Sequence, residues 1–336
     1  LYHSCRNRHC PKCGSLAKAR WLEKRMNEIL PVEYYHIVFT LPSQLNLIVR
    51  YNERLLYNLL FKTVKETLLE AGKNPDNLGV EIGFLAVLHT WGQNLLDHPH
   101  IHCVVPGGGL SQDKKIWINC KKGFFIPVKK LSRLFRGKFL YYLKKYYKNN
   151  KLNLAGKIKS FKNQATIQTL IDGLYRQDWV VYSKKPFSSP EQVFDYVGRY
   201  THRIAIKNNR IVSLKNNKVC FRWKDYKDDN KIKIMSLDVN EFMRRFLLHV
   251  LPDRFVRIRS YGILSNRSSK KLKLCKKYLK VKEKERKKPE SWYELFLKLT
   301  GVDIRLCECC HIGRYIIIDS INNTQLDYDI FKLDSS

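Results

Sequence analysis

No apolar run in this 336-residue chain approaches the roughly twenty residues that would span a bilayer. No internal repeat marks a solenoid or propeller. Acidic residues are scarce: 30 Asp+Glu stand against 63 Lys+Arg, for a formal net charge of +33. A compact chain so unbalanced repels itself unless a polyanion offsets the charge, so the expected partner is nucleic acid and not a membrane. A disulfide framework is not expected either. Several of the ten cysteines stand in C-x-x-C spacing, which in a basic chain points to zinc and to a reducing, cytoplasmic, nucleoid-associated setting. No thioredoxin-like βαβ pattern surrounds those pairs. What the chain does have is core material, 44% hydrophobic and 12% aromatic, enough for an ordinary domain with appendages. It begins at Leu1, inside a cysteine motif, and reads as lacking its own N-terminus.

Patterning divides the chain into three expected parts. Residues 1–30 are a partial zinc-binding head and a basic helix, 31–265 a catalytic domain, and 266–336 a basic arm with a Cys-rich module. Glu33–Leu41 alternates as a strand, and a long helix follows. Glu81–Thr90 and His100–Val105 read as a hairpin around a turn near Asn94–Asp97. Helices are expected over residues 128–147, 163–177 and 191–200, the last starting from Ser189 and Pro190. Short strands run between Arg203 and Met235, Asp238 and Glu241 form a capping box, and Arg254–Leu264 is a further strand. Mixed helices and hairpins predict an α+β fold.

The segment His98-Pro99-His100-Ile101-His102-Cys103-Val104-Val105 is the most informative. Side chains alternate along a strand, so His100 and His102 face one way and Ile101 the other. Their Cα atoms stand about 7 Å apart at a rise of ~3.3 Å per residue, which lets two imidazoles converge on one divalent cation. The preceding strand offers a third ligand, Gln93 as first choice and His89 as second, the register deciding between them.

Tyr196 and Tyr200 stand at i and i+4 on the expected helix, one turn apart on one face. A phenol has an ordinary pKa of ~10, so nucleophilic use needs help from a metal or from cations such as Arg199, Arg203 or Lys207. With 19 tyrosines in the chain, the pair carries weight only beside the histidine strand.

Four passages together resemble a known family: SCRNRHCPKC at Ser4–Cys13, HTWGQNLLDHPHIHCVVPGGG at His89–Gly109, YVGRYTHRIAI at Tyr196–Ile206 and RSYGIL at Arg259–Leu264. In this order they resemble the rolling-circle insertion-sequence transposases with two catalytic tyrosines, the IS91 family of the His-hydrophobe-His endonucleases. The resemblance implies a five-stranded antiparallel sheet with the histidines on a central strand, flanked by helices and by small zinc-binding modules at the chain ends. It implies Mg²⁺ or Mn²⁺ on His100 and His102, and attack by Tyr196 and Tyr200 to form 5′-phosphotyrosines on single-stranded DNA at transposon ends and targets. A homodimer is compatible with it.

Cys10-Pro11-Lys12-Cys13 has the form of a zinc knuckle, with Cys5 or His9 as a third ligand, and Cys307 and Cys310 are a second candidate pair. The family places further zinc ligands upstream of Leu1, so the structural Zn²⁺ site is expected to be incomplete here. Cys103, Cys120, Cys220 and Cys275 read as ordinary thiols. Lysines 270, 271, 273, 276, 277, 280 and 282 suit salt-sensitive phosphate contact, and Trp91, Trp179 and Trp223 are candidates for base stacking. Two other readings compete. The histidine strand also fits a histidine-triad nucleotide hydrolase, and a transposase remnant that binds DNA without cutting it would keep the same residues.

Overall fold

The computed structural model describes residues 28–121, 125–187, 205–206, 208–226 and 228–281, positions 21, 25 and 123, and scattered positions between 291 and 315. The chain divides into two compact units, one formed by residues 20–283 and one by residues 1–19 with 284–336. The larger unit is built on strands β1 (Tyr34–Thr40), β3 (Gly83–Trp91), β4 (Asp97–Pro106), β7 (Val181–Phe187) and β11 (Ile258–Gly262). They form one antiparallel sheet in the order β11-β3-β4-β1-β7, with the histidine strand β4 in the centre. Sequence and structure agree on this α+β architecture.

Each strand presents one apolar face to the same side. Tyr35, Ile37 and Phe39 of β1, Phe84, Ala86 and Leu88 of β3, and Ile101, Cys103 and Val105 of β4 are all buried in the main core. Helices α1 (Asn46–Tyr51), α2 (Glu53–Lys73), α3 (Val128–Lys148) and α4 (Gln164–Arg176) supply most of the other apolar positions. Leu56, Leu60, Val64 and Leu68 of α2 repeat at helical spacing, as do Phe135 and Phe139 of α3, so each helix buries one stripe. The expected long helix is broken at Asn52, whose side chain donates to the carbonyls of Ile48 and Asn153. Asn163 caps α4 by accepting from the backbone N–H groups of Ala165 and Thr166.

The remaining strands are accessories. β2 (Val80–Glu81), β5 (Gly108–Ser111) and β6 (Trp117–Asn119) form a small sheet, and β8 (Ile211–Lys215), β9 (Lys218–Asp225) and β10 (Lys231–Asp238) form another. Asn216 and Asn217 close the β8–β9 hairpin at φ 49° and 57°, values that asparagine tolerates better than most residues. α5 (Val239–Leu247) starts at Asp238, which accepts from Asn240 N–H. The capping box is only half made. Glu241 is drawn instead into ion pairs with Arg244 and Arg245, both at 2.6 Å.

The lysine run begins as a packed helix, α6 (Ser269–Tyr278), not as a free arm. Its Cys275 is buried against Leu30, Leu110 and Ile263, and Lys271 pairs with Glu81 at 2.5 Å. Among the described residues no helix is long and apolar enough to cross a membrane.

Gly262 ends β11 at φ +60°, and a Cβ there would lie 2.0 Å from the Ile82 carbonyl oxygen. It faces Gly83, so the two backbones approach where no side chain fits. Gly262→Ala is expected to cost roughly 2–4 kcal/mol, from the strained φ and the clash together. A thermal melt within a degree of wild type would contradict that account.

Candidate functional site

The opposite face of the sheet carries the histidines. Cross-strand pairing puts Thr40 and His89 on either side of His100, and Val38 and Val87 on either side of His102. His36 lies one pair further along β1, opposite Val104. His36, His89, His100 and His102 are all buried. The ligand atoms of His89, His100 and His102 lie within 4.8 Å of one another, as a shared cation requires.

Two apolar clusters bracket this floor. Toward Val104, Tyr34 and Leu85 pack with Trp21, Ile29, Val32 and Ile258. Toward the β3–β4 turn, Leu95, Ala205 and Phe221 pack with Trp91, Trp223 and Phe246. Arg50 braces the start of β4: it pairs with the Asp97 carboxylate, with Glu53 at 2.7 Å and with the Leu248 carbonyl at 2.5 Å.

Hydrogen bonds set the imidazole tautomers. His100 Nδ1 lies 2.6 Å from the His98 carbonyl, so it must donate there and leave the Nε2 lone pair exposed. His102 Nδ1 lies 2.8 Å from His36 Nε2, with the ring planes within 12° and the centroids 5.1 Å apart, as an in-plane N–H···N bond requires. With His102 as the donor to His36, its Nε2 carries a lone pair and sits 3.0 Å from His100 Nε2. That separation is the one expected for two neighbouring ligands about 2.1 Å from a common ion. His89 completes the group, its ring stacked on Trp91 at 4.7 Å and edge-on to His102 at 4.5 Å.

Burial holds His36, His100 and His102 neutral. It pushes His100 down to about 3 and His36 down to about 4, with Lys184 adding to the shift at His36. His102 is driven well below its ordinary value by burial and by the neighbouring histidines. Neutral imidazole is the form that binds a cation. These groups resist protonation in the fold but not in the unfolded chain, so acid favours unfolding once pH falls below about 6.5. The metal-free protein should lose roughly 1.4 kcal/mol per pH unit for each such histidine, between about pH 6.5 and 4. Denaturant melts with a flat midpoint across that window would contradict the burial of the cluster.

Among the other sequence candidates, Gln93 lies beyond the end of β3, where its side-chain amide donates to the Tyr226 hydroxyl at 3.2 Å. Trp179 is no stacking platform: it is buried between Phe135 and Phe139, and its indole N–H donates to the Leu174 carbonyl. Tyr196, Tyr200, Arg199 and Arg203 lie outside the described residues, as do Cys5, His9, Cys10 and Cys13. Within the smaller unit, Cys307 and Cys310 sit in a tight turn closed by the Leu306–Arg314 bridge, and Gly313 N–H points at Cys310 Sγ from 3.3 Å. His36 went unremarked in the sequence. The only signal was its place in the alternating run EYYHIVFTL, in phase with Tyr34 and Val38.

Comparison with known proteins places this geometry in context. The family described as "Putative transposase" matches residues 83–272, a span that includes β3, β4 and β11. The "Transposase zinc-binding domain" family matches residues 1–41. The chain is 49% identical over 322 residues to "Putative transposase y4qJ" of Sinorhizobium fredii, covering 95% of this chain and 81% of that protein. It is 26% identical over 283 residues to "Transposase for insertion sequence element IS801" of Pseudomonas savastanoi pv. phaseolicola, covering 83% and 64% respectively. No solved structure matches. These matches set aside the nucleotide-hydrolase reading, imply DNA as the partner, and agree with a metal-binding histidine cluster and a zinc-binding head. The chain belongs to the transposase family of the IS91 type.

Proposed function

We propose that the chain cleaves and rejoins single-stranded DNA, with the imidazole cluster holding a divalent cation and Tyr196 and Tyr200 acting as nucleophiles. The observation that carries this reading is the convergence of three buried imidazoles on one sheet face. The proposed ligands are His89, His100 and His102; Gln93 is left out because it lies beyond the end of β3, past the irregularity between His89 and Trp91. An all-nitrogen donor set suits Mn²⁺ better than Mg²⁺, which prefers oxygen. Bound there, the cation would polarise a phosphodiester and stabilise the charge that builds on it. The phenolic oxygen of one tyrosine bonds to phosphorus, the P–O3′ bond breaks, and the leaving oxygen takes up a proton. The products are a 5′-phosphotyrosine and a free 3′-OH. Arg199 and Arg203 are assigned to the scissile phosphate. The second tyrosine permits a second transfer without release of the first. Structural Zn²⁺ is assigned to Cys5, Cys10 and Cys13, and Cys307 and Cys310 remain a candidate pair.

The test is incubation of a 3′-labelled single strand from an element end with the protein and Mn²⁺. The expected product is a protein–DNA adduct that survives denaturation, beside an unlabelled fragment that a polymerase can extend. Cleavage leaving a free 5′-phosphate and no adduct would overturn the tyrosine assignment. Retention of the strand without cutting would favour a binding-only remnant.

His36 is a positioning residue in this scheme, since it holds His102 through the ligand's other nitrogen. His36→Phe is expected to weaken Mn²⁺ binding by about 10–100-fold, with partial recovery in His36→Gln, which restores an acceptor. Equal affinities in both variants, by calorimetric titration, would leave His36 a packing residue only.

A further inference from the structure

Toward the Val104 end of the histidine face, Trp21, Arg25, Ile258, Ser260, Asn266 and Arg267 line a recess of about 380 Å³. Ile258 is paired with Val87 and Ser260 with Leu85, while Val87 and Leu85 are paired in turn with His102 and Val104. The recess therefore opens on the same side of the sheet as the imidazoles, two strands over. With strands about 4.8 Å apart and a rise of ~3.3 Å per residue, its floor is roughly 10–12 Å from His102.

We infer that this recess binds one nucleotide of a DNA single strand, its base against Trp21 and its phosphate between Arg25 and Arg267. The chemistry of the lining supports this. Its volume lies in the range of small-ligand sites. Trp21 offers an indole surface, which stacks on any base without regard to sequence. Trp21 and Arg25 stand one helical turn apart, with the guanidinium carbon 5.8 Å from the indole centroid. Arg25 is pre-positioned: it pairs with Glu28 at 2.5 Å and makes long contacts, each 3.3 Å, to Ser260 Oγ and Asn266 Oδ1. Its Nε is buried without a hydrogen-bond partner, so the guanidinium keeps unused donor capacity. Arg267 is exposed and makes no ion pair among the described residues, and none of the described residues lining the recess is acidic. Such a pairing of an aromatic platform with two guanidinium groups recognises a nucleotide better than an isolated anion or an apolar ligand. Ser260 belongs to the RSYGIL passage, which the metal site itself does not use.

The inference depends on the single-strand reading above, and the experiment keeps the two apart by omitting chemistry. Full-length protein is held without added Mg²⁺ or Mn²⁺ and without chelator, and its affinity for fluorescent oligonucleotides is read by anisotropy while one abasic position is moved along the strand. In wild type, one position should weaken binding about tenfold. In Trp21→Leu that position should become neutral. Arg267→Gln should lower the slope of log affinity against log salt by about one. Melting curves confirm that each variant folds, and Arg267, being exposed, provides the variant least able to perturb packing. If single strands bind but both variants respond as wild type does, the recess is not the subsite and the cleavage reading stands. If Arg267→Gln weakens duplex binding alone, the recess serves a duplex backbone and the inference fails. If no single strand binds at all, both readings fall together.

Discussion

His100→Ala should abolish divalent-cation binding at the cluster and cut strand cleavage by on the order of 10³-fold, without unfolding the chain. The expectation follows from how the ring is held. His100 sits on the central strand, hydrogen-bonded through Nδ1 to its own segment at the His98 carbonyl, with Nε2 turned toward the cluster. Its removal takes away one proposed ligand and the nitrogen 3.0 Å from His102 Nε2. The fold should survive because the side chain packs on the site face, whereas the main core lies behind the sheet with Ile101 and Cys103. His102→Ala should be at least as severe, since it also removes the hydrogen bond to His36 Nε2. Calorimetry with Mn²⁺ and a gel assay of cleavage check both. Full cleavage by a folded His100→Ala protein would remove the metal site from the mechanism.

The second large effect falls on the tyrosines. Tyr196→Phe should lower adduct formation by on the order of 10⁴-fold or more, because the proposed nucleophilic oxygen is lost while metal and DNA binding remain. Tyr200→Phe should leave the first cut largely intact and block the completed transfer, so that adduct accumulates with no rejoined product. Denaturing gels with a strand labelled at each end separate the two steps. If Tyr200→Phe abolishes the first nick, the roles within the pair are reversed. If both single variants still form adduct at the wild-type rate, another residue attacks the phosphate.

Local periodicity by itself determined much of this protein. A period of two over residues 98–105 sends His100 and His102 to one face and Ile101, Cys103 and Val105 to the other, whatever the strand pairs with. The turn chemistry of Asn216-Asn217, the helical stripes of α2 and α3, and the charge of +33 are likewise properties of neighbouring residues or of composition. What the tertiary structure decided depends on register and on distant chain segments. Whether His89 or Gln93 stands beside the pair was settled by the β3–β4 alignment, which sets His89 opposite His100 and carries an irregularity between His89 and Trp91. A one-residue slip would have turned His89 to the core face. His36 comes from a strand 66 residues before its partner, and nothing local to either residue encodes that meeting. Trp179 looks like a platform in a list of aromatics, yet the fold spends it in the core between α3 and the sheet. The recess at Trp21 joins a helical turn near the start of the chain to β11 and the residues after it, an encounter that only the folded sheet creates. Patterns of two and of 3.6 residues report which way a side chain points, and only packing decides what it meets there.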